Sequence, residues 1–282
     1  MQIDNISFND ISIFHHEEEF SIFHKLNFTR TTGGKEWLRK FFTEPHSDLN
    51  KIIGTQRVIR TLMEHVQDWP TEITNGTILV MDKFMDYALD PISENPSVFN
   101  SFVYRWLHSA DYSMVKFSIQ HFADFYRGIK EIASLLGDLD LPPAIKIYIE
   151  RIFQVFKQPP LQQLSETKKG EKLTVKQNLY YGHYLRGRYR SNTLELIDIF
   201  SRLDAWYSMA VAVKTYGLTF PEFVEQDKPM VEAKGLYHIL IPNPVPYDLQ
   251  MNPQQNFLFL TGANMAGKST LIKSVGSSVF LA

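Results

Sequence analysis

Seven apolar residues, Val115, Ile119, Phe122, Tyr126, Ile129, Ala133 and Leu136, recur in alternating steps of four and three along the chain. That spacing is the seam of a long helix packed against a second helix, and Gly137 is placed to end it. A second seam of the same kind runs through Leu196, Phe200, Leu203, Tyr207 and Ala210. Two long helices joined by a turn-back predict a mainly α fold built around an extended antiparallel arm.

Shorter helices are predicted around the seams. Trp37, Leu38, Phe41 and Phe42 share one helical face, and Leu49, Ile52, Ile53, Val58, Ile59, Leu62 and Met63 continue the spacing after Pro45. Pro142 and Pro143 open another helix, with Ile145, Ile149, Ile152, Phe153 and Phe156 as its apolar face, before Pro159 and Pro160 stop the pattern. From Ile3 to about Phe14 apolar and polar residues mostly alternate, which predicts a short strand or extended lead-in. After Gly217 the helical spacing gives way to short apolar pieces punctuated by Pro221, Pro229, Pro242, Pro244, Pro246 and Pro253. The expected organisation is a helical domain over 1–224 and an α/β part over 225–282.

The 282 residues carry 29 Lys and Arg against 31 Asp and Glu, so no global basic field draws the chain to nucleic acid or anionic lipid. The absence of cysteine excludes disulfides, thiolate metal sites and cysteine nucleophiles. The first residues lack the cationic start and apolar core of a signal peptide, and no apolar run approaches the ~18 residues of a membrane span. These features lead us to expect a soluble, cytoplasmic protein without a membrane partner.

The residues richest in chemistry are 257–270, FLFLTGANMAGKST, followed by Leu271, Ile272, Val275 and Val279 at helical spacing. A buried strand, a glycine-bounded loop and a helix stand in the order that a phosphate-binding loop requires. Gly262, Ala263, Asn264, Met265, Ala266 and Gly267 form the loop, whose N–H groups would wrap an anion at the positive end of the helix. In such a loop Lys268 reaches the β- and γ-phosphates of ATP and the Ser269 hydroxyl ligates Mg²⁺. The alternative is a coincidental Gly/Lys/Ser turn. Only 13 residues follow Ser269, too few to supply the acidic strand end and water-positioning group that hydrolysis needs. The expectation is the front portion of a nucleotide hydrolase, shortened after its phosphate-loop helix and unable to turn over.

Between Ser165 and Asn192 lie Lys168, Lys169, Lys172, Lys176, Arg186, Arg188 and Arg190 against Glu166 and Glu171, interleaved with Tyr180, Tyr181, Tyr184 and Tyr189. Cations that neutralise phosphates beside rings that stack on bases suit a DNA backbone or branched junction. A solvated helix turn is the alternative. His15 to Glu19 reads as a solvated charge run rather than a metal site, because adjacent strand residues face opposite sides. Thr29, Thr31, Thr32, Gly33 and Gly34 read as the cap of the Trp37 helix.

Two of these stretches carry a resemblance. TGANMAGKST resembles the phosphate loop of the MutS DNA mismatch-repair ATPases, written TGPNMGGKST, with Ala263 and Ala266 as departures. Residues 22–34, IFHKLNFTRTTGG, resemble the opening of that family's helical core, and WLRKFFTEP and IIGTQRVI resemble its first helices. The long seams match the lever arms, and Ala233 to His238 resembles the GRHP segment at the start of the ATPase domain.

The resemblance implies a core and lever followed by the first strands and phosphate loop of a truncated ABC-type ATPase domain. It also implies ATP and Mg²⁺ as ligands, DNA as a partner and a homodimer in the full-length form, with ATP held between subunits. Asn264 would face the γ-phosphate, Thr270 would assist, and Tyr247, in PVPYD, would take the place of a phenylalanine that stacks on adenine. The family's mismatch-reading wedge has no counterpart here, and the interval from Gly137 to about Val175 is too short for a full DNA clamp. Two other readings stay open: a non-catalytic helical scaffold, and an ABC-type ATPase with a non-DNA partner.

Overall fold

The computed structural model describes residues 5–264 and 266–282. Among them the chain is mainly helical, with one two-stranded sheet. In order the helices are α1 (Asn5–Asp10), α2 (Ile22–Leu26), α3 (Thr32–Thr43), α4 (Leu49–Glu64), α5 (Asn75–Asp86), α6 (Val98–Leu107) and α7 (Ser109–Gly137). They continue with α8 (Pro143–Val155), α9 (Pro159–Ser165), α10 (Val175–Arg186) and α11 (Arg190–Tyr216). Strands β1 (Val231–Leu236) and β2 (Tyr247–Met251) precede α12 (Lys268–Leu281). The chain divides into two compact units.

One unit holds residues 28–40 and 53–211. The predicted α7 seam is fully buried at every position from Val115 to Leu136, and the helix ends at Gly137. Neither long helix stands bare. The chain between them folds into the predicted helix α8 and into two further helices, α9, which Pro159 and Pro160 open rather than only ending the pattern, and α10; each packs on α7. Helix α5 covers α7 as well, with Phe84 edge-on to Phe122 at 5.7 Å. The second seam is buried in the same way, with Phe200 edge-on to Phe125 at 6.3 Å. The Tyr126 hydroxyl lies 2.5 Å from Thr193 Oγ1, and burial raises its pKa. Arg151 of α8 forks onto Glu195 at 2.7 and 2.8 Å, and Tyr148, one turn earlier, meets Arg202. The order along the two helices is reversed, so they run antiparallel. Phe153, predicted inside the α8 face, is exposed at the margin of that face.

The threonine-rich segment ahead of α3 is fastened to α11 within this unit. Thr31 Oγ1 accepts the Gly34 N–H at 3.1 Å and so caps α3, as its sequence position predicts. The same hydroxyl donates to Asp204, whose carboxylate also accepts the Arg30 and Thr31 N–H groups at 2.9 to 3.0 Å. One turn on, Ser208 Oγ accepts the Phe28 N–H at 2.7 Å. The Arg30 guanidinium lies over the Tyr207 ring, which stacks on Trp69 at 4.7 Å.

The other unit holds the described residues up to Asn27 together with 41–52 and 212–282. The lead-in predicted as extended is instead helical over Asn5–Asp10. Its reason is an aromatic cluster: Phe8 meets Phe14 and Phe280 at 5.6 Å each, and Phe42 meets Phe23 and Phe280. Phe8 and Ile11 are three residues apart, a helical step that presents both inward, with Ile11 lodged against Gly276. Strands β1 and β2 pair antiparallel in the register Val231 with Met251 and Leu236 with Tyr247, and the ladder shifts between Ala233 and Leu236.

Candidate nucleotide loop and basic surfaces

The apolar run 257–260 was expected to be a buried strand. It is extended but unpaired among the described residues, with Phe257 82% and Phe259 79% exposed. An apolar run becomes a buried strand only when a neighbouring strand takes up its N–H and C=O groups, and β1 and β2 pair with each other instead. The loop and helix after it stand where the spacing put them. Gly267 has φ 84° and ψ 9°, a left-handed conformation suited to glycine, and α12 starts at Lys268. Gly262 has φ 155°.

Lys268 Nζ donates to the carbonyls of Gly262 and Ala263, at 2.6 Å each, so the ammonium is held within the loop. Gly262, Ala263, Asn264, Ala266, Gly267 and Ser269 are exposed, and Thr270 is half-buried. Met265, assigned to the same loop from sequence, lies outside the described residues. These features fit an anion: N–H groups at the start of a 14-residue helix, an ammonium in the loop and an open hydroxyl in the first turn.

Helix α12 is held from several directions inside its unit. Tyr247, at the start of β2, donates its hydroxyl to the Leu271 carbonyl at 3.2 Å and contacts the Ser274 hydroxyl. Lys273 Nζ reaches Ser12 at 3.3 Å, and Phe280 closes the aromatic cluster. His238 is buried, accepts the Leu240 N–H on Nδ1 at 3.3 Å, and has no partner for Nε2 among the described residues. Burial, then the Lys273 and Lys25 charges, push its pKa below the ordinary histidine value.

The seven cations assigned to DNA do not form one patch. Lys168, Lys169 and Lys172 lie between α9 and α10 and Lys176 lies in the first turn of α10, whereas Arg186, Arg188 and Arg190 gather at its other end. Ten residues of helix separate Lys176 from Arg186 by about 15 Å, beyond a physiological Debye length. The first group is exposed, although Lys169 pairs with Glu72 at 3.1 Å and thereby lowers that carboxyl's pKa. In the second group Arg190 binds Asp86 at 2.7 Å and the Met85 carbonyl at 2.8 Å. Arg186 donates to the Tyr87 carbonyl and lies over Phe84. Only Arg188 of that group is exposed. Tyr181 and Tyr189 are buried, and the half-buried Tyr184 donates to Glu94 at 3.0 Å.

The sequence reading missed one cluster: Asp90, His108 and Asp111 bring ligand-type atoms within 4.8 Å of one another. Their spacing along the chain follows no metal motif, and only the fold assembles them.

The chain is similar to MutS proteins. It is 36% identical over 84 residues to the DNA mismatch repair protein MutS of Pseudothermotoga lettingae, a match covering 29% of this chain and 10% of that protein. It is 32% identical over 93 residues to MutS of Thermotoga maritima, covering 32% and 11%. It is 31% identical over 90 residues to the Endonuclease MutS2 of Thermus thermophilus, covering 32% and 11%. The matched segment thus spans about a tenth of the length of these relatives. No protein-family model matches the chain. Among the described residues, no helix is long and apolar enough to cross a membrane.

Proposed function

We propose that this chain, a relative of the MutS family over about a third of its length, is the core, lever and nucleotide-loop portion of an ATP-dependent protein of DNA mismatch repair or recombination. Residues 1–224 are the core and lever, and residues 225–282 open an ABC-type ATPase domain. The observation that carries the reading is the left-handed Gly267 ahead of α12, with Lys268 held in the loop and Ser269 open in the first turn.

ATP, when bound with Mg²⁺, supplies the phosphate charge that this loop is built to meet. Lys268, now on the Gly262 and Ala263 carbonyls, would hold the β- and γ-phosphates, and the Ser269 hydroxyl would hold the cation. Asn264 would face the γ-phosphate and Thr270 would assist. Tyr247, whose hydroxyl bonds the Leu271 carbonyl of α12, would stack on the adenine. In the full-length form two copies hold ATP between them and grip DNA. The chain itself binds nucleotide weakly.

Fluorescent ATP titrated with and without Mg²⁺ tests the loop. Mg²⁺-dependent binding abolished by Lys268→Ala supports it, and binding unchanged by that substitution overturns it. The DNA part is tested on the full-length protein with homoduplex, single-mismatch and branched DNA across a salt series, with and without Mg·ATP. Preference for branched DNA fits a junction-directed role, and preference for the mismatch fits mismatch repair. No DNA binding at low salt overturns the DNA assignment and leaves the helical scaffold or a protein-directed ATPase.

A further inference from the structure

Helix α6 carries its polarity the wrong way round for a helix of a monomer. It packs on α7 and α10, yet its one buried residue is Ser101. Its other inward contacts are polar too: the Tyr104 hydroxyl donates to the Asp90 carbonyl at 3.1 Å, and His108, just after the helix, pairs with Asp90 at 2.5 Å. Arg105, exposed at the edge of the helix, lies over the Tyr112 ring. The outward face is apolar: Val98, Phe99, Phe102, Val103, Trp106 and Leu107 are all exposed. Phe99 is 75%, Phe102 56% and Trp106 81% exposed.

Hydrophobic burial would turn an isolated α6 through half a revolution, so the observed orientation calls for a cover on the outer face. Phe99, Phe102 and Trp106 follow steps of three and four, the seam by which one helix meets another. The six side chains leave about 600 Å² of apolar surface in water, at the top of the range for the largest patch on a monomer.

We infer that this face is a self-association surface, on which α6 of a second copy of the chain packs antiparallel about a two-fold axis near Val103. The six apolar residues carry no charge, and Arg105, exposed at their edge, falls opposite Ser101 rather than the second Arg105 when the copies pair antiparallel about Val103. Two such faces bury about 1,200 Å² in total, the lower edge of what a specific interface requires. The polar anchors on Asp90 hold α6 in one orientation before it docks, which lowers the ordering cost of association. The contact is independent of the nucleotide-loop reading and requires neither ATP nor DNA.

The test is sedimentation equilibrium of the 282-residue chain from low to high micromolar concentration, without nucleotide. A monomer–dimer equilibrium is expected, with Trp106→Glu raising the dissociation constant roughly 30-fold or more. Because the chain has no cysteine, Val103→Cys gives a single thiol at the axis. Mild oxidation should yield the covalent dimer from Val103→Cys but not from Lys146→Cys, an exposed position on α8. Circular dichroism of Trp106→Glu should match the wild type, since that side chain stands outside the core. A chain monomeric at the highest concentration overturns the inference, as does a dimer that Trp106→Glu leaves intact. A monomer that instead co-sediments with uncharged phosphatidylcholine vesicles overturns it in favour of a lipid surface.

Discussion

Asp204 of α11 accepts both the backbone N–H and the hydroxyl of Thr31, at 2.9 and 2.8 Å, while that hydroxyl caps α3 through the Gly34 N–H. One oxygen thus caps the start of a helix and joins two segments 173 residues apart in sequence. Asp204 is fully buried, and burial raises its carboxyl pKa against the pull of these donors. The segment that resembles the MutS core opening therefore serves as a fastening for α11 rather than as an anion loop.

Thr31→Val keeps the side-chain shape and removes the hydroxyl. It deletes the α3 cap and one bond to a buried carboxylate, and should cost about 2–3 kcal/mol in urea unfolding. Thr32→Val, one residue on, removes only an exposed bond to Asn75 and should cost under about 1 kcal/mol. Equal losses at the two positions would contradict this account.

Gly34 is required by proximity. A Cβ there would stand 2.1 Å from Asp204 Oδ2 and 2.7 Å from Cγ, groups pinned by their own hydrogen bonds. Gly34→Ala should destabilise by about 2–3 kcal/mol, because neither α3 nor α11 can withdraw without losing the fastening. In α4 a Cβ at Gly54 would meet nothing within 4 Å, and Gly54→Ala should stabilise by about 0.5–1 kcal/mol. Thermal melts of the pair measure both signs.

Both long seams were legible because a 3–4 spacing over many turns has one physical solution, and every named seam residue is buried. The Thr31 cap was legible because helix capping is local. Asp204 and Ser208 as partners of residues 28–31 were not, since nothing local in α11 marks a buried carboxylate's distant donors. The run 257–260 misled because apolarity predicts burial only where a neighbouring strand exists. Helix α6 was not read from the sequence, and its periodicity in any case marks a helix as two-sided without saying which side is covered. The α1 helix was missed because Phe280, at the far end of the sequence, decides which way Phe8 turns.

The two ends of α10 should respond differently to substitution. Lys168→Glu, Lys172→Glu and Lys176→Glu together change exposed side chains, so melting should stay within about 0.5 kcal/mol of wild type. If DNA lies on this end, affinity falls and the slope of log K against log salt shrinks by about 0.9 for each phosphate no longer neutralised. Arg190→Ala instead breaks an ion pair with Asp86 and a bond to the Met85 carbonyl. It should cost about 1–3 kcal/mol of stability. Titration of labelled duplex beside thermal melts separates the two roles.

His238 should make the unit around α12 sensitive to acid. Its Nδ1 accepts a backbone N–H, so the neutral ring carries its proton on Nε2, and a second proton would add a charge near Lys273 and Lys25 in a buried place. The folded pKa is therefore below the unfolded value of 6.5. A histidine depressed in this way contributes stability above pH 6.5 that is lost as pH falls toward its folded pKa, because the unfolded chain takes up the proton first. The slope there cannot exceed about 1.4 kcal/mol per pH unit, the limit for one proton. Hydrogen exchange of the α12 amides reads that unit directly, and protection should fall as pH drops below the unfolded value of 6.5, after correction for intrinsic rates. His238→Leu removes the titration and the acceptor for the Leu240 N–H together, so it should lower protection at neutral pH yet flatten the pH dependence. A pH dependence that survives His238→Leu unchanged would assign the acid sensitivity to another group.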